Sequence, residues 1–266
     1  MGRTETRNSD FRHFNLTDKM ATFTPWGYGA EDMTAIVSIY TSDGFIIAAD
    51  GLRVGSDKST VVSESAQKLF PFQTNDAQVV YGWCGTTQFF GHNGECLFDF
   101  IAQTQPLLSV ASVYAPTDFV AFLHFIRIGL DTLLRQSRLI KKGDSFPVDL
   151  NGELARMLLV GYFRNEPCKA EIGVFTQDGF LMPVAIPQVQ VPLKYARDVF
   201  SGSKKAFELF EGIYPKNRDD ALSFVRGYIQ ACVESPDPGQ IYGGRIHIAE
   251  LNPSGFRWVD APQISN

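Results

Sequence analysis

Apolar positions along this chain first run almost unbroken and then turn periodic. AIVSIY and FIIAAD, residues 35–40 and 45–50, flank the turn sequence TSDG at 41–44. Two apolar runs around such a turn predict a hairpin, and their near-continuous character predicts a sheet covered on both faces. SAQKLFPF at 65–72 and QVVYGWCG at 78–85, separated by a polar NDA, predict a second hairpin. Four strands are therefore expected before any helix. Phe89, Phe90, Cys96, Leu97 and Phe100 then fall at roughly helical separations, and residues 117–138 carry a clearer helical stripe. Two helices covering one face of the sheet are predicted there.

Residues 139–153, LIKKGDSFPVDLNGE, read as a solvated loop, and ARMLLVGYF, AEIGVFTQDG and FLMPVAI read as strands. KKAFELFEGIY and NRDDALSFVRGYIQACVES predict another helix pair, the second opening on Asn217 as cap with acidic residues in its first turn. RIHIAELNPSGFRWVD closes the chain as a hairpin around a Pro-Ser-Gly turn. Strands, helix pair, strands, helix pair, strands is the order of an α+β protein, a four-layer αββα sandwich of two mainly antiparallel sheets. Residues 1–33 are polar and aperiodic, ending in TPWGYGAED before Met33, and are expected to be an extension or propeptide. Residues 34–266 form the expected single domain, with no internal repeat.

Composition narrows the function classes. At 44% hydrophobic and 20% charged residues, the 266-residue chain is expected to be a folded, soluble protein with a substantial core. A net charge of -5 argues against nucleic acid as a partner, since a general binder needs a basic footprint. No run approaches the ~18 apolar residues of a membrane helix, and the first twenty residues lack a signal-peptide apolar region. Cys84, Cys96, Cys168 and Cys232 show neither CxxC nor Cys/His spacing, so no metal or cofactor is expected and a reducing cytoplasm is the default location. GxSxG, HExxH, GxxxxGK[ST] and GxGxxG are all missing. His13, His92, His124 and His247 are far apart, and each reads as packing or surface.

MTAIVSIYTSDGFIIAADGLR, QKLFPF, VVYGWCGTT, VFSGS and YGGRIHIAELNPSGF resemble, in that order, successive motifs of proteasome-type β subunits and the bacterial HslV peptidase. These are N-terminal nucleophile (Ntn) hydrolases. The resemblance covers nearly everything after Met33, with an expanded region from about 104 to 155. It implies a threonine-type peptidase in which Thr34, exposed by processing, attacks a peptide carbonyl. Its own α-amine, titrating near ~7.7 to 8.0, serves as base. One residue then supplies nucleophile and base, so no histidine partner is needed.

The same resemblance places a lysine at Lys68, whose charge eases proton loss from the threonine, and an aspartate at Asp50, which holds that lysine ionised and oriented. It places the oxyanion-hole glycine at Gly85, a specificity-pocket position at Trp83, and a serine-glycine pair supporting the threonine's amine at Ser201 and Gly202. For each residue alone a structural role is the competing reading: a strand-end cap for Asp50 or Lys68, a turn glycine for Gly85, a core ring for Trp83. The family's usual aspartate and serine are missing, with Gly239 and Tyr242 in their places and Asp237 displaced.

Also implied are a homo-oligomeric ring enclosing the threonines, polypeptide substrates, and an ATP-dependent unfoldase for folded ones. Two other readings stay open. One is an unprocessed, non-catalytic subunit with a structural or binding role, in which Thr34 carries an amide rather than an amine. The other is an Ntn amidase acting on a small molecule. Met33 directly before Thr34 fits removal of an initiator methionine, so translation is expected to begin there, with residues 1–32 an upstream extension of the reading frame.

Overall fold

The structure is a computed structural model that describes residues 34–54, 60–90, 96–137, 152–177, 180–193 and 197–262. The extension to residue 33, and with it the expectations about its removal, lies outside the described residues. β1 (Ile36–Thr41) and β2 (Gly44–Ala49) form the first hairpin. Gly44 ends its turn at φ +119°, where a Cβ would lie 2.5 Å from the Leu251 carbonyl oxygen. A small hairpin of β3 (Arg53–Val54) and β4 (Val61–Ser63) leads to β5 (Leu69–Gln73) and β6 (Ala77–Gly85).

β7 (Gln88–Phe90) and β8 (Cys96–Asp99) form another short hairpin before α1 (Phe100–Tyr114) and α2 (Phe119–Gln136). The helix expected to include Phe89 and Phe90 therefore begins only at Phe100. Asp99 fixes that start: its backbone is extended and its carboxylate accepts from the Ala102 amide at 3.0 Å, an N-cap no upstream helix can pass through. The aromatic residues before it suit a strand as well as a helix, and Phe89, Phe98 and Phe100 make ring contacts.

β9 (Gly152–Phe163) and β10 (Glu166–Gln177) are the longest strands described, and they are followed by β11 (Phe180–Leu181), β12 (Gln188–Gln190) and β13 (Arg197–Ser201). Gly152 and Glu153, read as loop, belong to β9. FLMPVAI holds only the two-residue β11. Pro183 cannot donate to a ladder, and the segment is tied to β10 by isolated bonds from Met182 and Ala185. α3 (Lys204–Phe210), α4 (Arg218–Glu234), β14 (His247–Asn252) and β15 (Gly255–Asp260) complete the chain. Asn217 caps α4 as expected.

One sheet has the order β13-β1-β2-β14-β15. The other runs β11-β10-β9-β6-β5, with β12 also on β10, and every described pairing in both is antiparallel. Phe122, Ile126 and Leu130 of α2 pack with Leu108 of α1 on the outer face of the β6-β9-β10 sheet. Phe224, Val225 and Tyr228 of α4 cover the outer face of β1 and β2. Between the sheets lie Ile36, Phe45, Ile47, Val80, Leu158, Val160 and Phe200. The fold is thus the αββα sandwich the element order predicts. Among the described residues no helix is long and apolar enough to cross a membrane.

Candidate functional site

β1 and β2 pair as Ile36↔Ala49, so Thr34 and Ala35, just before β1, lie beside Asp50, just after β2. Asp50 is fully buried, and three donors converge on its carboxylate. The Ala35 amide reaches Oδ1 at 3.0 Å, the Lys68 ammonium reaches the same oxygen at 2.9 Å, and the Gly243 amide reaches Oδ2 at 3.3 Å. The Asp50 amide returns a bond to the Ala35 carbonyl at 3.2 Å. Lys68 comes from the side of the other sheet, immediately before β5. The pair therefore crosses the gap between sheets, and a buried carboxylate is tolerable there because its charge is matched and hydrogen-bonded.

β13 lies on the other side of β1, in the register Ile36↔Ser201. The buried Ser201 hydroxyl donates to the Thr34 carbonyl oxygen at 2.5 Å. Asp50 and Ser201 thus hold opposite edges of the one peptide unit that joins Thr34 to Ala35, and Thr34 is itself buried. At Gly202 a Cβ would stand 2.2 Å from the Tyr228 hydroxyl and 2.7 Å from the Cys232 sulfur, so glycine is required by that close approach. Ser203 caps α3, and its amide donates to Cys232 Sγ at 3.4 Å. Burial pushes the Cys232 thiol up to about 11, which keeps it protonated and inert. Asp237 accepts from the Lys204 amide at 2.8 Å and so braces the start of α3. Tyr242 is buried and donates its hydroxyl to Gln240.

Gly85 ends β6 with φ +82°, in register with Ala155. A Cβ there would lie 2.6 Å from the Leu154 carbonyl oxygen, which also accepts from the Thr86 amide at 2.8 Å. The pairing Leu69↔Gly82 carries the end of β6 past Lys68, toward the end of the sandwich where Thr34 stands. Trp83 is not brought to this group. Strand alternation turns it toward the helices, where its indole donates to Thr104 of α1 at 2.9 Å and packs 4.6 Å from the Phe100 ring. Its surroundings are those of a core tryptophan.

Three residues not expected from sequence complete the group. The Gly243 carbonyl accepts from the Gly51 amide at 3.1 Å and the Leu52 amide at 2.9 Å, locking the chain after Asp50. At Gly51 a Cβ would be 2.5 Å from the Arg245 carbonyl oxygen and 3.1 Å from the His247 ring. His247, at the start of β14 opposite Ala49, is fully buried, and neither ring nitrogen has a hydrogen-bond partner among the described residues. Burial lowers its pKa to about 4, with Arg245 and Lys68 adding to the effect, so the imidazole is neutral at pH 7. The repeated glycine of YGG is the one sequence signal for close chain approach here. Among the described residues no group of three or more His, Cys, Asp or Glu stands together as a metal set.

No protein-family model matches this chain, and no curated protein matches it. Solved structures do match, among them an Anbu (Gly-1) mutant from Hyphomicrobium sp. strain MC1. It is 14% identical, with a TM-score of 0.50 and coverage of 87% of each chain. This corrects the assignment that the motif order suggested. The match is to Anbu, nothing in it is specific to HslV, and no family model supports placing the chain among proteasome β subunits. What the likeness supports is the architecture alone, an αββα sandwich spanning most of the chain.

Proposed function

We propose that this protein is a threonine-type peptidase of the Ntn-hydrolase type, acting through Thr34 once the residues before it are removed. The observation that carries the reading is the convergence on Thr34. Asp50 and Ser201 grip the Thr34–Ala35 peptide from its two edges, and Lys68 reaches Asp50 from the side of the opposite sheet. In this reading the Thr34 α-amine takes the proton from its hydroxyl, whose oxygen attacks the peptide carbonyl. The proton passes to the leaving amine, and water then hydrolyses the ester to regenerate Thr34. The nearby Lys68 ammonium favours loss of the hydroxyl proton, and Asp50 keeps that ammonium in place. Gly85 presents its amide to the developing oxyanion, and Ser201 and Gly202 shape the seat of the α-amine.

The reading also takes polypeptides as substrates and a closed homo-oligomer in the cytoplasm as the working form. Seclusion would protect folded cell proteins, and an ATP-dependent unfoldase would feed the chamber. Thr34→Ala is expected to abolish turnover of a fluorogenic peptide while leaving the fold and any assembly intact. Turnover surviving that change would overturn the reading.

One observation favours a second reading, an unprocessed and non-catalytic protein of this fold. Asp237, the acidic residue nearest the aligned positions, is engaged at the start of α3, and Tyr242 is engaged with Gln240. Peptide turnover absent from the wild-type chain would select this second reading.

A further inference from the structure

Ser201 belongs to the five-stranded sheet, with Thr34 and Asp50 at the ends of its strands β1 and β2, whereas Gly85 belongs to the other sheet, with Lys68 just before its strand β5. Chemistry shared between the two needs their separation fixed at this end of the sandwich. The Lys68–Asp50 bond is one crossing, and the structure holds a second. Arg156 of β9 lies opposite Cys84, one position from the Ala155↔Gly85 pair. Its guanidinium carbon stands 4.9 Å from the centre of the Phe200 ring. Phe200 is buried in the layer between the sheets and immediately precedes Ser201, whose hydroxyl holds Thr34.

Arg156 is also fixed within its own sheet. Its Nε lies 2.5 Å from Glu153 and its Nη1 lies 3.3 Å from Glu171, which Lys169 contacts in turn. Two cations and two carboxylates, all largely buried, balance one another. The Glu153 pair spans a register shift in β9: Val174 faces Ala155 while Phe175 faces Glu153, leaving Leu154 as the extra residue. The Leu154 carbonyl is the atom that abuts Gly85 and binds the Thr86 amide.

We propose that Arg156 is a positioning residue for the Thr34 chemistry. It clamps the Leu154 bulge that sets Gly85, and it braces that strand against Phe200 and hence against Ser201 and Thr34. This inference rests on the peptidase reading. Arginine suits the task because its planar group stacks on a ring while its edge nitrogens bind carboxylates, a combination lysine lacks.

The test is turnover of a fluorogenic peptide by the full chain as purified, with rates normalised to the fraction of molecules whose N-terminus is Thr34, read by intact mass. Arg156→Met is expected to lower kcat roughly 10- to 100-fold with KM little changed, since small misplacement of reacting groups costs rate at that scale. Arg156→Lys should restore part of the loss. Should the methionine variant fail to fold, Phe200→Leu, which removes the ring face and keeps an apolar side chain, should still lower kcat several-fold. Unchanged kcat per exposed Thr34 in Arg156→Met, or in Arg156→Lys and Phe200→Leu where that variant does not fold, would overturn the brace. An inactive wild type would instead defeat the peptidase reading beneath it.

Discussion

The layer between the two sheets has two unlike ends. At the end holding the β1–β2 turn it is apolar and aromatic: Phe45 packs 4.7 Å from Tyr40 and 5.4 Å from Tyr162, with Leu251 beside them. At the other end the same layer carries Asp50, Lys68, His247 and Arg156, beside a strand bulge. Burying those groups is unfavourable unless each finds compensation. A sandwich needs no such cluster for its core, and the apolar end shows how the layer packs without one. Departures of this kind concentrate where a protein does chemistry.

Substitutions at the two ends should therefore fail in different ways. The largest effect is expected from Lys68→Met, which leaves the fully buried Asp50 carboxylate without its cation. Such a change costs about 3–5 kcal/mol of stability, and peptide turnover should fall to background. Denaturant unfolding and a fluorogenic assay on the same preparation read both losses. At the apolar end, Phe45→Ala is expected to cost about 3–5 kcal/mol through the cavity it leaves. The fraction that stays folded should keep nearly the wild-type kcat. A large drop in kcat there would break the distinction between the ends.

The smallest effect should be the pH dependence set by His247. Its pKa in the fold, about 4, lies below the ordinary imidazole value of 6.5. Between those values the unfolded chain binds the proton that the folded chain refuses, so stability falls as pH drops from 6.5 toward 4. The groups near the ring are Lys68 and Arg245, both cationic, with the Asp50 carboxylate held by Lys68. The contribution is up to about 3 kcal/mol. His247→Phe, which removes both unpartnered nitrogens, should flatten stability over that window; an unchanged slope would assign the acid sensitivity to other groups.

Much of this molecule can be read locally. The TSDG turn between two apolar runs, the Asn217 cap and the Pro-Ser-Gly hairpin each state their structure within a few residues, and the strand and helix order yields the four layers. The β7–β8 hairpin is harder to see because aromatic residues at mixed spacings satisfy either period until Asp99 is known to cap the helix. At the site, Asp50 and Ser201 hydrogen-bond the Thr34–Ala35 peptide and Lys68 bonds Asp50; the motif resemblance points to these residues, whereas strand-end position alone reads as a solvated cap. Trp83 turns the other way because strand parity, not motif position, fixes a side chain's face. His247 and Arg156 gave no local signal. Their neighbours Gly51, Phe200 and Glu171 are remote in sequence, and only the packing of the two sheets brings them together.

Peptidase chemistry at this site requires Thr34 to be an N-terminus, and the intact mass of the protein isolated from its native host reads that state. A chain that begins at Thr34 is expected. Persistence of residues 1–33 on every copy would leave Thr34 an amide without its base and would rule the peptidase reading out.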